Sequence, residues 1–161
     1  ILNSSVFRCC FRDEFPEYSG NAYRLFSVFF EKIPIRCAEE QDIDLFEPLV
    51  DYVQFAKSGN GSGDGTPPDV IARVLEEIIN ACVMELYFRD HMAQRDLLFH
   101  DQVRPLLTSL PEKATPAQKW SIVESFYQQA NAPDHPIRNQ LMRLTADSPD
   151  LLAVIKEEAR T

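Results

Sequence analysis

The sequence predicts a mainly α-helical protein with a long antiparallel helical hairpin, additional C-terminal helices and at most a small β element near the N-terminus. Three observations predict this fold class. Two stripes of apolar residues repeat with the period of an α-helix, and a glycine-rich run separates them. A helix-start signal follows at Thr115–Gln118. Two amphipathic helices joined by a flexible tip pack most simply against each other as a hairpin.

The first arm of the hairpin is an acidic segment upstream of the glycine run. Asp44 and Glu47 lie three residues apart, a spacing that can cap a helix start. Pro48 is tolerable only near the first turn, so we expect the helix to begin at about Asp44. The apolar residues that recur mostly at helical spacing are Ile43, Phe46, Leu49, Val50, Val53 and Phe55.

The second arm follows residues 59–66, which are too rich in glycine for regular structure and should form a flexible hairpin tip. Asp69 can cap this helix, which we expect to continue to about Asp90 or beyond. Its apolar stripe consists of Ile71, Val74, Leu75, Ile78, Ile79, Cys82 and Leu86.

Three shorter helices are expected downstream. One runs through residues 97–107 and is kinked or delayed by Pro105. The next has Thr115 as its N-cap and Pro116 at its first position, and the last begins at Ser148–Pro149.

The N-terminal part of the chain is less regular. Residues 2–7 open a short helix. Residues 23–30 are aromatic and β-branched, and their periodicity leaves a buried strand and a helix equally open. Ile33–Pro34–Ile35 should be extended, because a residue that precedes proline avoids the α region.

Composition and charge bound the class of protein. The chain has 161 residues, of which 45% are hydrophobic, enough for one folded domain. It has no run of about 18 apolar residues that would suggest a membrane span. The net charge is −9, and residues 39–58 carry six carboxylates against one lysine. Autonomous DNA-binding domains are usually basic, so we expect weak DNA binding by this chain alone.

The cysteines and the known catalytic motifs give no sign of chemistry. Cys9, Cys10, Cys37 and Cys82 lack the spacing of a disulfide framework or a zinc site, so we expect reduced thiols in a cytoplasmic protein and no metal. The only Pro-Pro pair, in Thr66–Asp69, lacks the residues that grip a flipped adenine. No Asp/Glu-x-Lys of a magnesium-dependent nuclease occurs. We therefore expect no catalytic residue.

Three histidines remain to be explained. His91 should be solvated or cap a helix end. His100 can pair with Asp101, but no nucleophile is near it in the sequence. His135 lies between two prolines, in a rigid turn where it or Asp134 should bond to the backbone.

Glu85 lies within the apolar run Val83–Phe88. The favoured interpretation is a glutamate that faces solvent. The alternative is an ion pair that locks this helix to a neighbour, with Arg138 as the candidate partner.

Five arginines are the candidate DNA-binding residues. Arg8, Arg12 and Arg24 share the N-terminal segment, while Arg138 and Arg143 flank an Asn-Gln pair. Arginine holds phosphates and reads guanine edges. Arg138 and Arg143 are second choices, because they can instead tie the terminal turn to the hairpin. Solvated surface positions are the more common fate of such residues.

Several segments, in this order along the chain, resemble a known family: Leu2–Ser4, Ile33–Ile35, Leu49–Val53, Val83–Phe88 and Pro133–Arg138. The family is the C-terminal specificity region of single-chain bacterial restriction-modification enzymes that carry an adenine-N6 DNA methyltransferase in the same polypeptide. The resemblance extends from Leu2 to about Ile155. Because Ile1 rather than Met stands first, we expect an artificial boundary there rather than a processed end.

The resemblance implies that residues 1–36 are the tail of a target-recognition domain and residues 37–161 a helical spacer. It implies contact with double-stranded DNA through the parent enzyme, and intramolecular contact with the methyltransferase and recognition domains, without a membrane. S-adenosylmethionine, and magnesium if the parent also cleaves DNA, are implied for the parent and not for this part. The alternative function is a helical protein-interaction module without a DNA role.

Overall fold

The computed structural model describes residues 4–14, 17–19, 22–23, 31, 35, 39–59 and 65–156. Within them the fold is mainly α-helical, which confirms the predicted class. The helices are α1 Ser5–Glu14, α2 Glu40–Lys57, α3 Pro68–Ala93, α4 His100–Val103, α5 Pro116–Ala130, α6 Pro136–Asp147 and α7 Pro149–Lys156, with a 3-10 helix at Arg104–Leu106. The small β element is an antiparallel pair, β1 Glu17–Ser19 and β2 Ala22–Tyr23.

The chain divides into two compact units, residues 1–37 with 148–161, and residues 38–147. In the first unit, α1 packs against α7. Ser4 caps α1, since its Oγ accepts the N–H of Phe7 at 3.2 Å. The sequence places α7 in the helical spacer, whereas the structure groups it with the N-terminal unit. The functional roles of the two predicted parts stay a prediction, and Ile33–Pro34 lies outside the described residues.

An antiparallel hairpin of α2 and α3 dominates the second unit. Lys57, the last residue of α2, forms an ion pair with Glu76 in the early part of α3. Each fully buried aliphatic side chain contributes about 1.5–3 kcal/mol, so the facing apolar stripes hold the arms together. The completely buried residues on the apolar faces of the two arms include Leu45, Leu49, Tyr52, Ile71, Leu75, Ile78 and Cys82. Tip residues 60–64 lie outside the part of the chain that the structure describes.

The first arm begins earlier than the sequence predicts. Its N-cap is Glu39, whose N–H donates to Oδ2 of the buried Asp42 at 3.0 Å. The predicted start at Asp44 is therefore wrong. Pro48 lies in the helix interior, where it cannot donate to the carbonyl four residues back. Its ring is buried, and we attribute the tolerance of this proline to that burial.

The second arm, α3, spans 26 residues and ends beyond Asp90, as predicted. Its N-cap is Pro67 rather than Asp69, which lies in the first turn. Residues 81–86 are all buried, so this stretch of the helix is enclosed by the rest of the unit. Phe88 interrupts the helix with non-helical dihedral angles, φ −126° and ψ 39°.

The chain after α3 differs from the prediction of one helix over residues 97–107. Residues 97–99 have no regular structure, and only four residues of α4 precede the 3-10 helix that contains Pro105. The helix start predicted at Thr115–Gln118 is confirmed and takes the form of a capping box. The N–H of Gln118 donates to Oγ1 of Thr115 at 3.3 Å, and the N–H of Thr115 donates to Oε1 of Gln118 at 2.9 Å.

Tyr52 joins α2 to the segment that precedes α5. Its hydroxyl donates to the carbonyl of Thr108 at 2.5 Å and accepts the N–H of Thr108 at 2.9 Å. Its ring meets Phe126 edge-on, with centroids 5.4 Å apart. Burial raises the pKa of Tyr52 above its ordinary value of 10.0, and the hydrogen bond to Thr108 opposes this rise.

We predict that Tyr52 makes stability fall at alkaline pH. Because its pKa is higher in the folded protein, its contribution is complete below the unfolded pKa of about 10 and is lost as pH rises through the folded value. Urea unfolding from about pH 8 to about pH 11 measures the decline. Tyr52→Phe should remove part of it and should lower neutral-pH stability by about 1 kcal/mol, since Thr108 loses its partner. Identical declines in both proteins would contradict the prediction; Tyr127→Phe is the control.

Candidate functional site

A buried carboxylate at Glu85 is the polar centre of the second unit. The residue lies on α3 within the enclosed stretch 81–86 and is only 1% exposed. The chain turns after α3 and brings residues 97–100 back against this point of the helix. A carboxylate in such a position must be matched by hydrogen-bond donors, because burying it unpaired is costly.

One oxygen of Glu85 caps the next helix. Its Oε2 accepts the N–H of Phe99 at 2.5 Å and the N–H of His100 at 2.8 Å. Phe99 is the N-cap residue of α4 and His100 its first residue, and N–H groups at a helix start have no partner within the helix. Glu85 therefore supplies from α3 the acceptor that α4 lacks.

The other oxygen faces two side chains. Nη1 of Arg89, one turn further along α3, donates to Oε1 of Glu85 at 3.0 Å. Nδ1 of His100 lies 3.6 Å from the same oxygen. Nε2 of His100 is 2.8 Å from the carbonyl oxygen of Cys82, which can only accept, so Nε2 carries a proton. The histidine thus links the start of α4 to α3 a second time.

The buried thiol of Cys82, one turn before Glu85 on α3, is unreactive as a nucleophile. Burial raises the pKa of Cys82 far above its ordinary value, and the charge of Glu85 adds to this rise while Arg104 opposes it. The thiolate is the nucleophilic form of cysteine, and here it is suppressed. The described residues also contain no group of three or more His, Cys, Asp or Glu side chains that could hold a metal ion.

The expectation that Glu85 faces solvent is wrong. Of the alternative, only the lock to a neighbouring helix is correct, because the ion pair with Arg89 lies within α3 and Arg138 donates from Nη1 to the carbonyl of Asn131 at 3.3 Å. Instead the ion pair is with Arg89 and the lock is made by backbone N–H groups. The sequence feature that indicated the buried position of Glu85 was its place at the centre of the apolar run Val83–Phe88.

The contacts of His100 and His135 support the fold of the chain around them. His100 is buried and contacts Glu85 and Cys82 rather than the predicted Asp101, and the ring of Phe46 meets it edge-on at 6.2 Å. Nδ1 of His135 accepts the N–H of Ile137 at 3.3 Å, which agrees with the predicted turn.

The candidate DNA-binding arginines lie in different parts of the chain. Arg8 is exposed on α1. Arg12 belongs to α1, but its side chain and the whole of Arg24 lie outside the described residues. Arg138 is half-buried on α6, and Arg143 is exposed on the same helix. The structure leaves DNA contact by these five residues a prediction.

Arg143 and Arg95 bind the ends of two helices to each other. Arg143 donates from Nη2 to the carbonyl of Arg95 and from Nε to Oδ2 of Asp147, both at 2.9 Å. Arg95 donates from Nε to the carbonyl of Asp147 at 2.7 Å. Each guanidinium thus supplies a donor to a carbonyl at or just beyond a helix C-terminus, where such acceptors lack partners. Arg143 therefore ties α6 to the end of α3. This agrees with its predicted alternative role, in which it ties the terminal turn to the hairpin.

The hairpin tip carries a cleft of about 390 Å³ between the end of α2 and the start of α3. Lys57, Asp69, Arg73 and Glu76 contribute to its lining. Lys57 and Glu76 form an ion pair across the hairpin, so these two charges already have a partner without a ligand.

Comparisons with known proteins returned no match, whether to family models, to curated proteins or to solved structures. No helix among the described ranges is long and apolar enough to cross a membrane. Function is therefore inferred from the sequence and from the geometry above.

We predict that Glu85→Gln destabilises the protein by about 2–4 kcal/mol. The amide keeps the shape of the side chain, but it loses the charge-assisted bonds and turns an NH₂ group towards existing donors. Glu77→Gln, on an exposed position of the same helix, is the matched control and should change stability by less than about 0.5 kcal/mol. Urea unfolding at neutral pH measures both, and equal effects would show that the buried charge is dispensable.

Proposed function

We propose that this chain is the non-catalytic C-terminal DNA-specificity and helical spacer part of a bacterial restriction-modification enzyme. The parent enzyme is a site-specific adenine-N6 DNA methyltransferase, with or without endonuclease activity. In that enzyme this part holds the recognition domain in position against the methyltransferase and the DNA.

The observation that carries the proposal is the structural use of the segments that resemble the family. Glu85, in the segment Val83–Phe88, fixes the start of α4. Leu49 and Tyr52 are buried in the hairpin. His135 shapes the turn that begins α6. All four residues orient or pack helices and none is placed for catalysis, which suits a spacer. Leu2 and Asn3 of the first segment lie outside the described residues.

The charge distribution also suits a part that depends on its parent for DNA affinity. Glu40, Asp44, Glu47 and Asp51 are all exposed on α2, and the net charge is −9. Such a surface repels the phosphate backbone. DNA, S-adenosylmethionine and any magnesium ion would therefore be bound mainly by the rest of the enzyme.

A helical protein-interaction module without a DNA role is the second candidate function. The observation that favours it is the exposure of Ile43 and Val50 on the first arm of the hairpin. The gene sequence upstream of Ile1 distinguishes the two functions. A methyltransferase frame containing Asn-Pro-Pro-Tyr supports the first, and a stop codon or an unrelated domain supports the second.

We predict that the isolated chain neither methylates nor cleaves DNA when S-adenosylmethionine and magnesium are supplied. The reason is the absence of the motifs for either reaction. Transfer of labelled methyl groups to mixed-sequence DNA and nicking of a supercoiled plasmid measure the two activities. The parent enzyme serves as the positive control, and either activity in the isolated chain would refute the assignment.

We predict that the isolated chain binds duplex DNA weakly, at or beyond the non-specific range of about 10⁻⁴–10⁻⁶ M at physiological salt. Any binding should depend on Arg8, Arg12 and Arg24, because their N-terminal segment is the only one with a net positive charge and would adjoin the recognition domain. Substituting all three with alanine should abolish residual binding and its salt dependence, with little change in melting temperature. Arg73→Ala, at an exposed position on α3, is the control. Unfolding of the triple variant, or undiminished binding, would remove these residues as DNA contacts.

A further inference from the structure

The outer side of α2 carries an apolar stripe that the ring of His100 meets at Phe46 and that is exposed at Ile43 and Val50. Ile43 and Val50 are 50% and 41% exposed. Phe46 and Val53 are half-buried beside them. The four residues follow the spacing i, i+3, i+7, i+10, which is that of a coiled-coil seam. We call this set, Ile43, Phe46, Val50 and Val53, the α2 stripe.

The hairpin itself does not require this stripe. Leu45, Leu49 and Tyr52 already supply the inner face of α2 and are completely buried. At about 100° per residue, Ile43 lies about 180° around the helix from Tyr52. A helix with one packed side needs one apolar face, and its opposite side is normally polar. Isolated exposed apolar residues are common, but two exposed ones that lie two turns apart on one side of a helix, with half-buried Phe46 and Val53 beside them, are typical of a contact surface.

Charge decides which occupant suits the α2 stripe. Four exposed carboxylates, those of Glu40, Asp44, Glu47 and Asp51, lie along one border of it. A symmetric contact between two copies through this face would bring these acidic borders near each other, in a chain of net charge −9. A partner with lysine or arginine beside its apolar residues would instead meet complementary charge.

We propose that the α2 stripe docks a basic amphipathic helix of a partner domain. Apolar side chains of that helix meet Ile43 and Val50, and its lysine or arginine side chains face Glu47 and Asp51. The methyltransferase part of the parent enzyme fits this description, since a DNA-binding body is basic. The choice of that domain rests on the proposed function, whereas the chemistry of the docked helix rests on α2 alone.

The binding assay uses the 161-residue chain and a fluorescently labelled helical peptide of leucine and lysine, with leucine at heptad spacing. The matched peptide has glutamate in place of every lysine. Fluorescence anisotropy at low and high salt should show binding of the lysine peptide, weakened by salt, and little binding of the glutamate peptide. Equal binding of the two peptides would overturn the proposal.

Variants locate the docking surface. Ile43→Ser combined with Val50→Ser should weaken peptide binding about tenfold to a hundredfold, because two apolar anchors are lost. Glu47→Gln combined with Asp51→Asn should reduce its salt dependence. Met142→Ser is the control, since Met142 is 68% exposed on α6 and outside the stripe. All five substituted positions are exposed, so circular dichroism should show unchanged helix content.

Two further outcomes would overturn the proposal. One is unchanged peptide binding by the Ile43 and Val50 double variant. The other is a dimer in analytical ultracentrifugation that this double variant abolishes, because it assigns the stripe to a second copy. A negative result in the peptide-binding assay can be distinguished from a negative result for the proposed function. An upstream gene sequence without a methyltransferase would refute that function and leave peptide binding as it is.

Discussion

The second unit depends on one buried charge, the carboxylate of Glu85. Removing a carboxylate from water costs several kcal/mol, and this cost is offset only when its oxygens find donors. Here one oxygen accepts two backbone N–H groups and the other accepts the guanidinium of Arg89. The first backbone donor lies 14 residues further along the chain. The charge therefore fixes where the chain returns after α3, a constraint that apolar packing alone leaves loose.

The contacts of α2 with the chain that follows α3 depend on this constraint. Once the start of α4 is fixed, Arg104 can donate to the carbonyl of Gln41 at 3.2 Å, and Thr108 can exchange two hydrogen bonds with Tyr52. Both contacts hold α2 from the side of the chain that follows α3. At the tip, the Lys57–Glu76 pair is exposed, and exposed ion pairs contribute little. The chain that follows α3 thus holds α2 at two points, near its first turn at Gln41 and in its second half at Tyr52.

The features that could be predicted from the sequence are those that depend only on residues within one turn or one helix. The apolar period of α3 and the Thr115–Gln118 capping box are of this kind. The partners of Glu85 could not be predicted, because they are backbone N–H groups, which every residue except proline carries. Helix α6 was not anticipated because Pro136 resembles a helix breaker, although proline at the first helical position is favourable. The role of Arg143 could be stated only as one of two alternatives.

The apolar stripe predicted for α2 omits two completely buried residues, and the physical reason also concerns the partner helix proposed above. The apolar residues of this helix form two interleaved sets, an inner one with Leu45, Leu49 and Tyr52 and the outer α2 stripe. A single amphipathic stripe drawn through them mixes the two sets and passes over Leu45 and Tyr52, which are completely buried. Interleaved sets are typical of a helix packed on more than one side. Helix α3 covers one side, while Phe126 on α5 and the ring of His100 meet Tyr52 and Phe46, so within the described residues Ile43 and Val50 are the part of the outer set left for the partner helix proposed above.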